Sequence, residues 1–191
     1  MVVFSQNLYP IRNLLHTIMA HIQGGQKIIP FLWFDNDAEE AVKFYTSVFR
    51  KSKITDTLQY GDAGPGPKGT IMSVNFQLEG QDFIALNGGP QFKFSPAISF
   101  FIKCETQAEV DRFWERLSDG GERLPCGWLK DKFGISWQVV PAILGVLLRD
   151  KDPARSQRVM TAMLGMYKID IAALERAYKG KGPATSLSGP A

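Results

Sequence analysis

A weak internal repeat is the feature that most constrains how this chain can fold. The segment Ile29–Phe34 aligns with Ile98–Lys103 at a shift of 69 residues, and both segments are rich in aromatic and β-branched residues, as short strands are. The same shift places Asp37–Glu40 on Thr106–Glu109. Each of these is a helix start signal: the second is a capping box, and the first is its aspartate equivalent. Each half therefore begins as a strand followed by a helix.

The later parts of the two halves also correspond. One helical face repeats as Phe44, Tyr45 and Val48 in the first half and as Phe113, Trp114 and Leu117 in the second. In the first half we predict strands over 54–60, 70–78 and 83–87, with a tight turn between the last two. The segment Gly134–Val140 matches Gly80–Leu86 at a shift of 54. Each half therefore reads as a strand, a helix and two or three antiparallel strands.

A single βαβββ module has an open sheet edge and one uncovered face, and two modules can satisfy each other. The prediction is an α+β fold of two such modules, over 27–89 and 97–141, which form a cleft. The segment 88–96, rich in glycine and proline, is the predicted linker.

Composition is typical of an ordinary globular protein. The net charge is +3, and the basic residues form no run of five, so nucleic-acid or polybasic membrane binding is not expected. No apolar run reaches the roughly 18 residues that a membrane-spanning helix needs. The two cysteines, Cys104 and Cys126, lie in no metal or redox motif and are expected to be free thiols in a cytoplasmic protein.

The two ends are predicted to lie outside the paired modules. Residues 1–26 form an appendage, either a weak transit-like segment or an overlong start before Met19. The main domain is expected to run over 27–150, followed by helices over 151–179 and a flexible tail over 180–191. The first tail helix would begin at Pro153 with one apolar face of Val159, Met160, Met163, Leu164 and Tyr167. That face would cover the chain's own sheet or a second subunit, and a homodimer is expected.

Residues 27–141 resemble the vicinal oxygen chelate superfamily, which includes glyoxalase I, extradiol dioxygenases and bleomycin-resistance proteins. The resemblance implies that the two modules form a glyoxalase-like cleft. Within it, the chain is similar to the PhnB-like branch, often labelled 3-demethylubiquinone-9 3-methyltransferase. The segments that carry the resemblance are Pro30–Phe34, Ala38–Ala41 with Phe44 and Tyr45, Ala85–Pro90, Met160–Leu174 and above all Cys126–Pro141.

The resemblance implies where a metal would be bound. Catalytic members of the superfamily hold a divalent ion with His and Glu, and the corresponding positions here are Ile28, Ile84, Ala97 and Gln138. Three of these are apolar, and an amide oxygen alone is a poor ligand for Zn²⁺ or Fe²⁺. The chain's two histidines, His16 and His21, both precede the modules. We therefore expect no metal cofactor of the usual kind.

The methyltransferase label has little support in the residues. Enzymes that use S-adenosylmethionine usually place a glycine-rich turn between a strand and a helix. Here the glycine-rich segment Gly61–Gly69 is predicted to lie between two strands and contains two prolines. Methyl transfer is therefore disfavoured.

Five residues are candidate ligand contacts: Trp33, Asn87, Cys126, Trp128 and Gln138. For each there is a structural alternative: core packing for the tryptophans, a turn cap for Asn87, a buried inert thiol for Cys126, and a hydrogen bond to a neighbouring strand for Gln138. Strand alternation places Trp137 and Gln138 on opposite faces, which favours Trp33 and Trp128 as stacking surfaces for a flat ligand.

The sequence leaves three functions open. The first is a small-molecule binding protein or metal-independent enzyme with an aromatic or quinone-like ligand. The second is a metal-dependent enzyme with a rearranged set of ligands, and the third is a dimerisation or regulatory module with no ligand. No catalytic residue is assigned, because the predicted inward strand faces carry no close pair of carboxylates for acid–base chemistry.

Overall fold

A computed structural model of the protein describes residues 26–62 and 66–182. The fold is α+β, as predicted, with two four-stranded sheets and five α-helices within the described residues. The chain divides into two compact units between Lys93 and Phe94, a point that falls inside the predicted linker. The predicted N-terminal appendage lies outside the described residues except for Gln26, whose side chain accepts a hydrogen bond from the Asp82 amide.

The first unit is a βαβββ module. Its elements are β1 (Phe31–Phe34), α1 (Ala38–Val48), β2 (Lys53–Gln59), β3 (Ile71–Leu78) and β4 (Gln81–Asn87). The sheet order is β1-β4-β3-β2, in which β1 and β4 are parallel and the remaining pairs are antiparallel. The tight turn predicted between β3 and β4 is present, with Glu79 and Gly80 both at positive φ.

The second unit repeats this topology and adds helices. Its elements are β5 (Phe100–Cys104), α2 (Gln107–Ser118), β6 (Glu122–Arg123), a 3₁₀ turn (Pro125–Gly127), β7 (Trp128–Lys130), β8 (Ser136–Pro141), α3 (Ala142–Leu148), α4 (Pro153–Leu164) and α5 (Ile171–Tyr178). The sheet order is β5-β8-β7-β6, with β5 and β8 parallel. The predicted helix start at Thr106 is confirmed, since the Glu109 amide donates to Thr106 Oγ1, but Glu109 Oε2 accepts from the Glu105 amide and not from the Thr106 amide that a capping box would use.

The pairing register corrects the alignment of the first strands by one residue. Phe31 is the partner of Ile84 in the first sheet, and Phe101 is the partner of Gln138 in the second. The shift of 54 that relates Ile84 to Gln138 is therefore confirmed. The first strands, however, correspond at a shift of 70, because Phe31 matches Phe101 rather than Phe100.

Burial supports this corrected register. Leu32 and Phe34 are buried in β1, and Ile102 and Cys104 are buried in β5, which again gives a shift of 70. The helices keep the predicted shift of 69 because the connection from strand to helix is one residue shorter in the second unit. Because β5 begins with two phenylalanines, Phe100 and Phe101, the sequence alone does not decide between a shift of 69 and a shift of 70.

The C-terminal helices pack within the second unit, which is one of the two predicted alternatives. Val140 of β8 joins a buried cluster with residues of α3, α4, α5 and the segment before α5: Leu144, Leu147, Val159, Ile169 and Leu174. The predicted apolar face of α4 is partly wrong, because Leu164 and Tyr167 are 61% and 59% exposed, whereas Met163 and Met166 pack against the cluster. Helix α3 was not predicted, since its seven residues are nearly all apolar and show no polar face that would set a helical period.

Hydrogen bonds also attach this helical segment to the rest of the second unit. The amides of Cys126 and Gly127 donate to the carbonyls of Met166 and Tyr167, each at 2.7 Å. The Gln107 side chain donates to the Ile169 carbonyl and accepts from the Ile171 amide. No helix within the described residues is long and apolar enough to cross a membrane.

Candidate functional site

Each sheet has one face covered by its helix and a second face, which we call its open face. In the first sheet, alternation puts Trp33, Ile84 and Leu86 on the open face. The buried cluster there contains Tyr60, Met72, Ile84 and Leu86, with Ile29, Trp33 and Leu58 packed against it, and includes no residue of α1. The open face of the first sheet therefore carries an apolar cluster.

Trp33 lies on this open face, and the linker holds it in place. Its indole Nε1 donates to the Gly89 carbonyl at 2.9 Å, and its ring meets Phe92 edge-on with the centroids 5.0 Å apart. A Cβ atom on Gly88 would overlap the indole ring, so glycine is needed there. The indole is oriented by these contacts, and its role as a stacking surface for a ligand stays a prediction.

Asn87 has structural partners on both ends of its amide. Its Oδ1 accepts from the Ala38 amide at the start of α1 (2.9 Å), and its Nδ2 donates to the Ile71 carbonyl (3.0 Å). Asn87 therefore caps a helix rather than a turn. The predicted side-chain cap by Asp37 is wrong, because Asp37 stands at the N-cap position without a capping hydrogen bond and Asn87 serves the first helical amide instead.

In the second unit, Trp128 and Gln138 are direct partners across β7 and β8, so their side chains lie on the same open face. Trp137 is on the opposite face, as predicted, and is buried there. Gln138 Nε2 donates to Ser99 Oγ at 2.9 Å, just before β5, which is the neighbouring-strand bond that the structural alternative anticipated. Within the described residues, the side-chain carbonyl oxygen of Gln138 accepts no hydrogen bond.

The two units differ at their equivalent positions. With the corrected shift of 70, Ser99 corresponds to Ile29, and Gln138 corresponds to Ile84. The first unit therefore has two apolar residues, both part of the open-face cluster, where the second has a hydrogen-bonded polar pair. At these positions, the second unit therefore presents the half-buried side-chain amide of Gln138 on its open face, whereas the first unit presents the apolar Ile84.

The implied metal positions do not fit a divalent cation. The corrected register replaces Ala97 by Ile98 as the equivalent of Ile28, and both isoleucines are exposed, at 76% and 85%. Ile84 is buried and apolar, which leaves the Gln138 amide as the one polar side chain of the set. Across the described ranges no cluster of three or more His, Cys, Asp or Glu side chains is arranged to hold a metal ion. Both histidines lie outside those ranges.

Cys126 lies at the turn that leads into β7. It has φ of 60°, an uncommon value for a residue other than glycine, and its amide is bonded to the Met166 carbonyl. Its side chain is partly exposed, so the predicted buried thiol describes the other cysteine better. Cys104 is fully buried, and this burial, together with nearby Glu109, raises the pKa of its thiol to about 12.

The two thiols should therefore differ in reactivity. We expect iodoacetamide to alkylate Cys126 at least about tenfold faster than Cys104 in the folded protein, because only a thiolate reacts and Cys104 is both buried and protonated. Mass spectrometry of the digested protein over a time course measures the two rates. Denatured protein is the control, in which both cysteines should react alike. Equal rates in the folded protein would contradict the burial of Cys104.

Asp131 is a structurally important residue whose role the sequence showed only in part. It begins the turn between β7 and β8, and it is only 2% exposed. Its Oδ1 accepts from the amides of Phe133 and Ile135, and its Oδ2 accepts from Trp137 Nε1 at 2.8 Å. An aspartate at the first position of a short turn is a signal that sequence reasoning can use. No sequence signal indicates the hydrogen bond from the Trp137 indole, six residues later.

Comparison with known proteins places this architecture in a family. Residues 26–140, more than half of the chain, match the family described as 3-demethylubiquinone-9 3-methyltransferase. A solved PhnB protein from Bacillus cereus, described by the same name, shares 40% identity over 61% of this chain and 100% of its own, with a TM-score of 0.57.

A second solved structure, protein PA1353 from Pseudomonas aeruginosa, shares 22% identity over 61% of this chain and 98% of its own, with a TM-score of 0.52, and it supports the fold alone. Among curated proteins, none matches the sequence. The resemblance to PhnB-like proteins is confirmed, and the chain belongs to the family described as 3-demethylubiquinone-9 3-methyltransferase.

Proposed function

We propose that the protein binds a small aromatic or quinone-like molecule at the open faces of its sheets, as a binding protein or as a metal-independent enzyme. The observation that carries the proposal is the pairing of Trp128 with Gln138. An indole offers a flat apolar surface, and the adjacent amide offers a carbonyl with no hydrogen-bond donor within the described residues. This combination suits a planar ligand with at least one polar substituent.

Methyl transfer, which the family's name describes, has no support in the geometry. The segment Gly61–Gly69 connects β2 to β3, which are antiparallel neighbours, so it does not lead from a strand into a helix. A strand-to-helix turn is what presents backbone amides to the phosphates or carboxylate of a nucleotide-like cofactor. We therefore propose ligand binding without methyl transfer.

Replacement of Gln138 tests the proposal. We expect Gln138→Ala to weaken the binding of 2,6-dihydroxynaphthalene, which carries two hydroxyl donors, by about tenfold, the amount expected when a buried hydrogen bond of about 1.4 kcal/mol is lost. Equilibrium dialysis measures the affinities. Gln59→Ala is the matched control, because Gln59 is an exposed glutamine on β2.

A second variant separates a ligand contact from a structural bond. Ser99→Ala removes the partner of Gln138 Nε2 but leaves the carbonyl in place. If Gln138 is only structural, Ser99→Ala and Gln138→Ala should lower the free energy of unfolding alike, and neither variant should change the affinity for 2,6-dihydroxynaphthalene. Such a result would refute the role of Gln138.

Metal analysis tests the other part of the proposal. Protein purified without chelator or affinity tag should contain no stoichiometric zinc, iron or manganese by elemental mass spectrometry. A stoichiometric metal would show instead that the protein is a metal-dependent enzyme with a rearranged set of ligands.

A further inference from the structure

We propose that Asn75 determines specificity on the open face of the first sheet, where its side-chain oxygen accepts a hydrogen bond from a hydroxyl or N–H group on an aromatic ligand. This inference rests on the proposed function and adds which substituent the ligand carries. The positions implied for a metal do not include this residue.

The first observation is a row of polar residues on β3. Ser73, Asn75 and Gln77 alternate with the apolar Val74 and Phe76, which are buried on the α1 side of the sheet. On an antiparallel sheet with one covered face, such a polar row usually faces water. Here it does not, since Ser73 and Asn75 are only 2% and 8% exposed.

The second observation is the hydrogen bonding of this row. Gln77 donates to Asp82 at 2.7 Å. Asn75 Oδ1, by contrast, is buried and accepts no hydrogen bond within the described part of the chain. A buried carboxamide oxygen without a donor is unfavourable, and nearly all such groups in folded proteins are paired. A donor group on a bound molecule would satisfy this oxygen.

The surroundings of Asn75 define the rest of that molecule. Its direct cross-strand partners are Ile84 on β4 and Asp56 on β2, so its side chain points to the open face with theirs. Ile84 belongs to the apolar cluster against which Trp33 packs. An apolar surface with one buried acceptor fits an aromatic ring that bears a single well-placed donor. A ligand that lacked the donor would leave the oxygen unpaired and would be rejected.

A matched pair of probes tests the inference. 2-Naphthol and 2-methylnaphthalene have the same ring system and differ only in a hydroxyl for a methyl group. By apolar transfer alone, the methyl compound should bind more tightly. We expect wild-type protein to prefer 2-naphthol by at least about tenfold. Asn75→Leu should reverse this preference, whereas Gln59→Leu, on the exposed side of β2, should keep it. Equilibrium dialysis measures both affinities for each protein.

The outcomes separate the two proposals. Saturable binding of both probes with no preference for 2-naphthol in the wild-type protein, or an unchanged preference in Asn75→Leu, overturns the role of Asn75 and leaves the proposed function standing. No saturable binding of either probe overturns both. The wild-type preference does not depend on the folding of any variant. If Asn75→Leu does not fold, the side-chain amide resonance of Asn75 should shift with 2-naphthol and not with 2-methylnaphthalene.

Discussion

Asp131→Ala should lower the free energy of unfolding by about 3–5 kcal/mol. The carboxylate accepts three hydrogen bonds from buried or half-buried donors, namely the amides of Phe133 and Ile135 and the indole of Trp137. Each buried donor left unpaired costs about 1–3 kcal/mol. The sum is reduced because the turn can relax toward water and because a buried charge is removed. Urea denaturation followed by tryptophan fluorescence measures the change.

Two neighbouring substitutions serve as controls. Asp131→Asn keeps one acceptor oxygen but turns an NH₂ group toward a donor, so we expect an intermediate loss of about 1–2 kcal/mol. Lys132→Ala removes an exposed ammonium that lies 4.9 Å from the Phe133 ring, and such a contact is worth at most about 1 kcal/mol. If Asp131→Ala is no worse than Lys132→Ala, the carboxylate does not hold the hairpin.

Several elements of the fold could be predicted from the sequence, because they depend on local signals. Local signals placed the elements well: Thr106 caps the start of α2, and the alternation of apolar and polar residues along 72–78 marks β3. The glycines at 80 and 134 gave the correct match of Ile84 with Gln138 because each fixes a turn just before its strand. These features depend on residues that are close in sequence.

The features that were missed depend on contacts between distant residues. Asn87 caps α1 across 49 positions, and nothing in either segment indicates that they meet. The one-residue error in the first strand arose because Phe100 and Phe101 are identical in type, so only strand pairing could decide between them. Asn75 was not singled out because an asparagine on an alternating strand looks like a solvent-facing residue until its burial is known.

Gly127→Ala should be as damaging as Asp131→Ala, by a different mechanism. Gly127 has φ of 80°, and a Cβ there would lie 2.7 Å from the Val139 carbonyl oxygen and 3.1 Å from Ile169 Cγ1. The left-handed conformation costs alanine about 1–2 kcal/mol, and forcing the β8 backbone away adds about 1–3 kcal/mol. The bond from the Gly127 amide to the Tyr167 carbonyl would also be strained. We expect a total loss of about 3–5 kcal/mol.

Gly80→Ala is the matched control, because it separates strain from steric overlap. Gly80 has φ of 85°, nearly that of Gly127, but a Cβ there would meet nothing within 4 Å. Its substitution should therefore show the conformational cost alone, about 1–2 kcal/mol. Urea denaturation followed by circular dichroism measures both variants. Because Trp128 directly follows Gly127, only Gly127→Ala should also weaken ligand binding at the second open face. Equal losses of stability in the two variants would mean that the approach of Gly127 to β8 and to the segment before α5 contributes nothing to stability.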